Sequence, residues 1–126
     1  MSKEIISTPN APAAIGPYSQ AVKTGNMVFL SGQIPLIPET MEMIEGGVTE
    51  QAQQVFKNLS AVAEAAGGSL NDAVKVNISL TDLGDFAAVN EVMASVFDEP
   101  YPARACVQVA ALPRGAMVEI EVILAL

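Results

Sequence analysis

The residues best suited to chemistry in this sequence lie on an apolar segment near its end. Arg104 stands two positions before Cys106, the single cysteine of the chain. Because side chains alternate between the two faces of a strand, we expect both on one face. A guanidinium is almost never buried without a partner, because its removal from water costs several kcal/mol or more. The pattern therefore predicts an acidic side chain or a ligand anion beside Arg104.

The last apolar segment offers one candidate for that acid. Between residues 118 and 124, apolar side chains alternate with Glu119 and Glu121, which therefore share a strand face. If this strand pairs with the Arg104 strand in a suitable register, a guanidinium, a thiol and a carboxylate converge on one polar patch. An Arg–Glu pair that only orients the strands fits the residue types equally well. The residues alone leave both interpretations open.

Two predicted helices must support these strands. Apolar residues at helical spacing predict a helix over residues 50–66, with Thr49 as its N-cap and a Gly-Gly pair as its stop. A second helix is predicted over residues 86–97, and Asp85 is placed to cap it. Each helix has one apolar stripe, so both are expected to pack on a sheet.

Strands are predicted where apolar residues alternate with polar ones or run between turn residues. The predicted strands cover residues 4–7, 18–23, 27–31, 73–80, 103–110 and 117–124. The sequence Thr-Gly-Asn at residues 24–26 predicts a hairpin turn. Ser-Gly-Gln at residues 31–33 favours a β-bulge, with a backbone that contacts a ligand as the alternative. Residues 35–47 are predicted to form a long connection with a strand-like patch near residues 41–44.

This order of elements places the helices on one sheet face and leaves the other face to solvent or to another subunit. That second face is predicted to carry Arg104, Cys106, Glu119, Glu121 and the bulky Ile123. Aliphatic groups mixed with paired charges suit an oligomer interface better than bulk water. The pattern therefore predicts self-association through the sheet.

Length and composition predict one domain over residues 1–126, of which 51% are hydrophobic. Fourteen acidic residues against six basic ones give a formal charge of −8, which disfavours binding to nucleic acid or to an anionic membrane. The chain has no histidine, so acid–base chemistry falls to carboxylates, tyrosine, the thiol or bound water. One cysteine without histidine leaves no adequate ligand set for zinc or an iron–sulfur cluster.

The sequence also bears on location. Residues 1–12 lack a basic stretch followed by an apolar one, which predicts no signal peptide. No apolar run approaches the roughly 20 residues that span a bilayer. A lone cysteine fits a reducing compartment. Together these features predict a soluble, cytoplasmic protein.

Five segments together resemble the RidA family, also called the YjgF family, of reactive enamine and imine deaminases. The matching segments are residues 16–21, 30–33, 90–97, 102–106 and 118–121, so the similarity covers essentially the whole chain. Pro-Ala-Arg followed at this spacing by Val-Glu-Ile resembles the family signature. The resemblance implies a ferredoxin-like, chorismate mutase-like α+β subunit with a mostly antiparallel sheet and two helices on one face. It also implies a homotrimer with clefts between subunits.

The chemistry implied by the resemblance is hydrolysis of a C–N bond. The substrates are 2-aminoacrylate, 2-aminocrotonate and their imine tautomers, which yield 2-ketoacids and ammonia without a metal or an organic cofactor. By the same resemblance, Arg104 binds the substrate carboxylate, because its planar guanidinium fits a carboxylate in bidentate fashion. Glu119 orders or deprotonates the attacking water. The alternative is that Glu119 only pairs with Arg104.

The resemblance places further residues in the cleft. Tyr18 is able to hydrogen bond the substrate through its phenol, and Ser31 and Gly32 line the same cleft. Asn90 is implied near this pocket, although an exposed helix position is an equal alternative. Cys106 is expected to line the site rather than to act as a nucleophile, because the deamination needs no covalent intermediate.

Three alternatives to a deaminase follow from the same residues. A non-catalytic trimer that binds 2-ketoacids as a sensor needs only an intact Arg104. A chorismate mutase-type isomerase is disfavoured, because a dianionic substrate wants several cations and Arg114 is expected in a solvated turn. RNA cleavage conflicts with the acidic charge and the absence of histidine.

Overall fold

The computed structural model describes residues 2–126, and their frame is a six-stranded mixed β-sheet. The strands are β1 (Glu4–Ile6), β2 (Ala21–Thr24), β3 (Met27–Gln33), β4 (Ala73–Leu80), β5 (Ala103–Gln108) and β6 (Val118–Ala125). Their spatial order is β1-β2-β3-β6-β4-β5. The β4–β5 pairing is parallel and the other four pairings are antiparallel. The predicted α+β fold with a mostly antiparallel sheet is confirmed.

Two helices cover one face of this sheet. They are α1 (Val48–Ala65) and α2 (Phe86–Val96), close to the predicted bounds. Their apolar stripes and the inward side chains of the strands form one buried cluster. Phe56 of α1 meets Phe97 edge to face, with ring centres 5.7 Å apart, a favoured aromatic geometry. Within residues 2–126, neither helix combines the length and apolarity needed to cross a membrane.

Both predicted helix caps are wrong in detail. Helix α1 begins one residue before Thr49, and its N-cap is Gly47, whose N–H donates to Glu50 Oε1 at 2.8 Å. Asp85 is the N-cap residue of α2, as predicted, but its side chain makes no capping hydrogen bond. Asp82 instead accepts from the Gly84 N–H at 2.8 Å and caps a short 3₁₀ turn that leads into α2.

The hairpin and the bulge both form as predicted. Thr24 pairs with Met27, which leaves a two-residue turn, and Gly25 in that turn has a φ of 58°. A positive φ favours glycine, because glycine has no Cβ to clash. Along β3 and β6 the register shifts between Leu30 and Gln33, where β3 has one extra residue. The structure therefore has the bulge that the Ser-Gly-Gln sequence predicts.

The strand register corrects the predicted polar patch. Strand β4 lies between β5 and β6, so the Arg104 strand and the Glu119 strand are not neighbours. Arg104 is opposite the buried Val76, on the face that the helices cover. Glu119 is opposite Ser79, whose side chain lies on the other face. The convergence of guanidinium, thiol and carboxylate within one chain is therefore wrong, because a central strand separates them and the alternation puts them on opposite faces.

Candidate functional site

Helix α2 orients the side chain of Arg104. One guanidinium nitrogen, Nη1, donates to Asn90 Oδ1 at 2.5 Å and lies 3.8 Å from the sulfur of Met93. The guanidinium carbon is 5.0 Å from the centre of the Phe86 ring, which is within cation–π range. These three residues lie along one side of the helix at spacings of three and four. The α2 face therefore fixes where the positive charge sits.

Arg104 has unused binding capacity. Its partners Phe86, Asn90 and Met93 are all neutral, and a guanidinium has five N–H donors. Arg104 is exposed and belongs to an edge strand of the sheet. It lines an open groove of about 450 Å³, here called the Arg104 groove. The groove residues are Asn90, Met93, Ala94, Tyr101, Pro102 and Arg104. This geometry suits a small carboxylate ligand.

Glu119 has the properties of a proton-transfer group. It is half-buried on β6, next to the β3 bulge. Burial raises the pKa of the Glu119 carboxyl, and repulsion from Glu121 adds to this rise. A raised pKa brings a carboxyl closer to neutral pH, where proton exchange with a substrate or water is most efficient. Glu121 is exposed and accepts from Asn77 Nδ2 at 3.2 Å, so the two carboxyls have different surroundings.

Gly32 allows the Glu119 carboxyl to lie against the bulge. A Cβ placed on Gly32 would stand 3.1 Å from the Glu119 carboxyl carbon. That distance is shorter than ordinary van der Waals contact, so only a glycine accepts this approach without a shift. The neighbouring Ser31 donates its hydroxyl to the Ser19 carbonyl at 2.6 Å. The bulge therefore holds both the carboxyl and the loop that contains Tyr18.

Tyr18 lies in that loop and is 54% exposed. Its hydroxyl accepts weakly from the Ile15 N–H at 3.4 Å. Tyr18 and Gly32 line a second groove of about 340 Å³, here called the Tyr18 groove. The groove also contains apolar side chains and one cation, namely Pro12, Ala13, Ile15, Ile34, Leu36, Met41, Pro113 and Arg114. An apolar pocket with a few polar groups is typical of a small-molecule site.

Two residues that support this groove were not found from the sequence. The buried Gln20 amide donates to the Pro12 carbonyl at 2.8 Å and accepts from the Thr8 N–H at 2.7 Å, which ties down the loop before Tyr18. Arg114 is exposed on a turn, as expected, and its Nη1 also donates to the Met41 carbonyl at 2.9 Å. The proline-rich loop next to a glutamine is the one sequence signal for Gln20. No local signal exists for the Arg114 contact, because its partner is 73 residues away.

Cys106 lies on the same strand face as Arg104 and is partly buried against the core. Burial raises the pKa of its thiol, and the nearby Arg104 charge opposes this rise. A raised pKa lowers the thiolate fraction at neutral pH, and the thiolate is the nucleophilic form. The raised pKa therefore disfavours the nucleophilic form of Cys106, and its role in the site stays a prediction.

The candidate residues therefore form two separate sets within one chain. Arg104 and Asn90 meet in the Arg104 groove. Tyr18 and Gly32 share the Tyr18 groove, and Glu119 packs beside Gly32. The first set offers an uncompensated cation, and the second offers a carboxyl and a phenol. Each set holds part of the chemistry that the sequence predicts.

Known proteins resemble this chain over nearly its whole length. Residues 8–126 match the family described as endoribonuclease L-PSP. The solved RidA of an Antarctic Psychrobacter species is 63% identical, with a TM-score of 0.94 over 98% of this chain and 99% of that chain. A Dermatophagoides farinae protein named 2-iminobutanoate/2-iminopropanoate deaminase is 55% identical, over 94% of this chain and 93% of that protein. The solved Escherichia coli TdcF with bound serine is 48% identical, with a TM-score of 0.92 and 98% of each chain covered.

Proposed function

Because this chain belongs to the RidA (YjgF) family, we propose that it is a 2-iminobutanoate/2-iminopropanoate deaminase. It hydrolyses the reactive enamines 2-aminoacrylate and 2-aminocrotonate, through their imines, to 2-ketoacids and ammonia. The observation that supports this most is the exposed Arg104, whose Asn90, Met93 and Phe86 partners are neutral and leave its charge for a substrate carboxylate. Relatives with this activity in their names, such as the Dermatophagoides farinae protein, support the same assignment.

The complete site requires two subunits of a homotrimer. Arg104 and Glu119 lie on opposite faces of the sheet, so no single cleft of one chain contains both. Arg104 is on the edge strand β5, where its groove is open to a neighbouring chain. The face that carries Glu119 also exposes Phe29 and Val107, at 47% and 52%, and such side chains favour burial at an interface. We assign Arg104 of one subunit and Tyr18, Ser31, Gly32 and Glu119 of the next to each cleft.

In this cleft the protein binds and orients the substrate and transfers protons. The enamine tautomerises to an imine, and the protonated C=N carbon is electrophilic without further activation. Arg104 holds the carboxylate in bidentate fashion and fixes that carbon relative to the attacking water. Glu119 accepts a proton from the water as the C–O bond forms. Glu119 then passes this proton to the nitrogen, and it takes the proton of the new hydroxyl as the C–N bond breaks, so that the carbonyl forms and ammonia leaves.

The remaining residues have supporting roles in the same proposal. Asn90 positions Arg104 through the hydrogen bond to Nη1. The Tyr18 phenol donates to the substrate or to the water, and the Gly32 backbone keeps room for the Glu119 carboxyl. The half-buried Cys106 lines the cleft beside Arg104. In this proposal no metal or organic cofactor takes part, because the proton transfers, the water addition and the loss of ammonia all proceed on an iminium carbon that is already electrophilic.

A coupled assay tests the proposal. A dehydratase generates 2-aminoacrylate or 2-aminocrotonate, semicarbazide competes for the imine, and the appearance of ketoacid is followed. The wild type should speed ketoacid formation, and Arg104→Ala should remove the effect while its oligomeric state stays the same. Lys57→Ala removes an exposed cation on α1 and serves as the matched control. A wild type that matches the no-protein rate would contradict the proposal.

A trimeric 2-ketoacid sensor is the second candidate function, and the same free Arg104 charge supports it. The E. coli TdcF structure was solved with bound serine, an amino acid whose carboxylate is attached to a carbon that bears an amino group. A sensor would bind ketoacid saturably in calorimetry and leave imine decay at its spontaneous rate. RNA cleavage, which the family description names, is disfavoured by the formal charge of −8 and the absence of histidine.

A further inference from the structure

Two residues with unusual backbone conformations meet at one hydrogen bond. Among residues 2–126, Met41 and Arg114 are the non-glycine residues with positive φ, at 61° and 59°. The Arg114 guanidinium donates to the Met41 carbonyl at 2.9 Å. A left-handed backbone is unfavourable for a side chain with a Cβ and persists where the surrounding structure enforces it. Such positions cluster at binding and catalytic sites.

Met41 forms the tip of a small hairpin-like lobe over residues 35–44, here called the 35–44 lobe. Its backbone is closed by hydrogen bonds from the N–H of Ile37 to the Glu42 carbonyl and from the N–H of Ile44 to the Pro35 carbonyl, at 2.8 and 2.9 Å. The Met41 N–H donates to the Ile37 carbonyl at 2.7 Å. The lobe is therefore an ordered unit rather than a loose connection.

The base of the lobe is fixed to the core. Asn58 of α1 is fully buried, and its Nδ2 donates to the Leu36 carbonyl at 2.9 Å. Gln54 Nε2 in turn donates to Asn58 Oδ1 at 2.9 Å. Buried polar groups with all partners in place hold one arrangement firmly. The position of the tip is then set by its contact with Arg114.

Arg114 lies on a turn with little conformational freedom. Pro113 has a fixed φ, and Gly115 follows with a φ of 72°. The turn is closed by the N–H of Gly115 on the Leu112 carbonyl at 3.2 Å and by the N–H of Ala116 on the Pro113 carbonyl at 3.1 Å. Ala116 is 1% exposed and anchors the turn in the core. A turn with little freedom therefore places the Arg114 guanidinium against the 35–44 lobe, whose base is fixed to the core.

This contact forms part of the wall of the Tyr18 groove. Met41 and Arg114 line the groove together with Ile34, Leu36 and Tyr18. We propose that Arg114 is a specificity-determining residue, which holds the 35–44 lobe against the Tyr18 groove and limits the size of the substrate side chain. The proposal rests on the deaminase function, because the groove is assigned there to the substrate cleft.

A size series of substrates tests this role. Imines with one, two and four side-chain carbons are generated from the corresponding amino acids, and kcat/KM is compared between wild type and Arg114→Ala. Loss of a charge-assisted hydrogen bond to the lobe should lower the small-over-large preference about tenfold, mainly through KM. Arg114→Lys keeps the charge and one donor and should restore part of the preference. Lys3→Ala, which removes an exposed cation next to β1, should keep the wild-type ratio.

The outcomes separate this inference from the proposed function. If the wild type turns over imines and Arg114→Ala keeps the wild-type size preference, the specificity role is wrong and the deaminase stands. If the wild type accelerates no imine, the deaminase proposal fails. Calorimetry with 2-ketoacids of the same chain lengths then replaces turnover, and an unchanged size preference in Arg114→Ala again overturns the specificity role.

Hydrogen exchange provides a readout that does not depend on turnover. The amides of Ile37, Met41 and Ile44 are bonded within the 35–44 lobe. In Arg114→Ala they should exchange about tenfold faster, because the lobe opens more often without its tip contact. Amides of β6 should stay unchanged. Equal exchange at these three amides would show that Arg114 does not hold the lobe.

Discussion

The Arg104 groove and the surroundings of Glu119 differ in what they lack. Arg104 is exposed, and its hydrogen-bond and cation–π partners are neutral. Glu119 is half-buried, and its nearest charged influence is another carboxyl, Glu121. A cation without an anion is suited to binding, and a carboxyl with a raised pKa is suited to proton transfer. The fold keeps these two groups on opposite faces of one sheet, so the proposed function requires them to meet between two subunits.

Removal of the Arg104 charge should have the largest effect on kcat/KM, because this charge is proposed to bind the substrate carboxylate. Arg104→Ala is expected to lower kcat/KM by roughly 10²- to 10³-fold, because truncation of a charge that pairs with a ligand anion costs several kcal/mol. Arg104→Lys should recover only part of this loss, since an ammonium does not match a carboxylate in bidentate fashion. Steady-state kinetics in the coupled assay measures both. An Arg104→Ala protein with wild-type kcat/KM would remove Arg104 from the site.

Glu119→Gln should slow proton transfer and leave substrate binding nearly unchanged. The amide cannot accept the proton of water, so kcat is expected to fall about 10²-fold or more, while KM changes little. In the wild type, activity should decline as the pH falls through the raised pKa of Glu119, because the base must be deprotonated. The pH–rate profile of kcat measures this limb. If Glu119→Gln keeps the same acid limb, another group is the base.

Two Asn90 variants distinguish the contribution of the position of Arg104 from that of its charge. Asn90→Ala removes the hydrogen bond to Arg104 and should raise KM about tenfold, as the guanidinium loses its fixed position. Asn90→Asp places a carboxylate at the same point and should raise KM further, because it competes with the substrate anion for Arg104. The two KM values measured side by side test this order. Equal values for both variants would mean that the Arg104 charge is not used for binding.

Gly32→Ala is a milder change beside Glu119. The new Cβ would stand 3.1 Å from the Glu119 carboxyl carbon and should displace it by a few tenths of an ångström. We expect kcat to fall about tenfold with an unchanged KM, because catalytic geometry tolerates small displacements poorly. Unfolding experiments should show a stability within about 1 kcal/mol of the wild type, since the glycine does not have a positive φ. A wild-type kcat would indicate that the close approach has no role.

The smallest expected effect is on the free energy of unfolding of Glu119→Gln, and it should depend on pH. The folded pKa of Glu119 lies above its unfolded value, so its charged form costs stability at neutral pH. That cost declines as the pH falls through the folded pKa and is gone below the unfolded pKa. Glu119→Gln should therefore be slightly more stable than the wild type at pH 7, within about 1 kcal/mol because solvent screens a half-buried charge, and equal to it in acid. Thermal unfolding at several pH values measures the difference. A lower stability of the variant at pH 7 would contradict the direction of the pKa shift.

The sequence predicted the elements well and their contacts poorly. Strand β4 has the predicted bounds, because alternation over eight residues is a strong local signal. The same alternation correctly separates Arg104 from its sequence neighbours, but it does not say which sheet face the helices cover. That choice depends on the insertion of β4 between β5 and β6, which is a tertiary feature.

Side chains that join distant segments were the other omission. A local contact was missed as well, because the Glu50 side chain accepts from the N–H of Gly47, and Gly47 rather than Thr49 is the N-cap of α1. Arg114 is the exposed turn residue that the sequence predicts, but its hydrogen bond to a carbonyl 73 residues earlier in the chain was not predicted. Local composition contains no information about such partners. The candidate residues were thus identifiable from family resemblance, while their division into two grooves required the structure.

Mixed assemblies test the two-subunit cleft most directly. Arg104→Ala and Glu119→Gln proteins are each prepared, unfolded together in equal amounts, refolded, and assayed for imine hydrolysis. Each cleft then draws Arg104 from one chain and Glu119 from its neighbour, so roughly a quarter of the clefts should be intact and activity should return to about that fraction of wild type. No recovery in assemblies that demonstrably contain both chains would contradict a cleft built from two subunits.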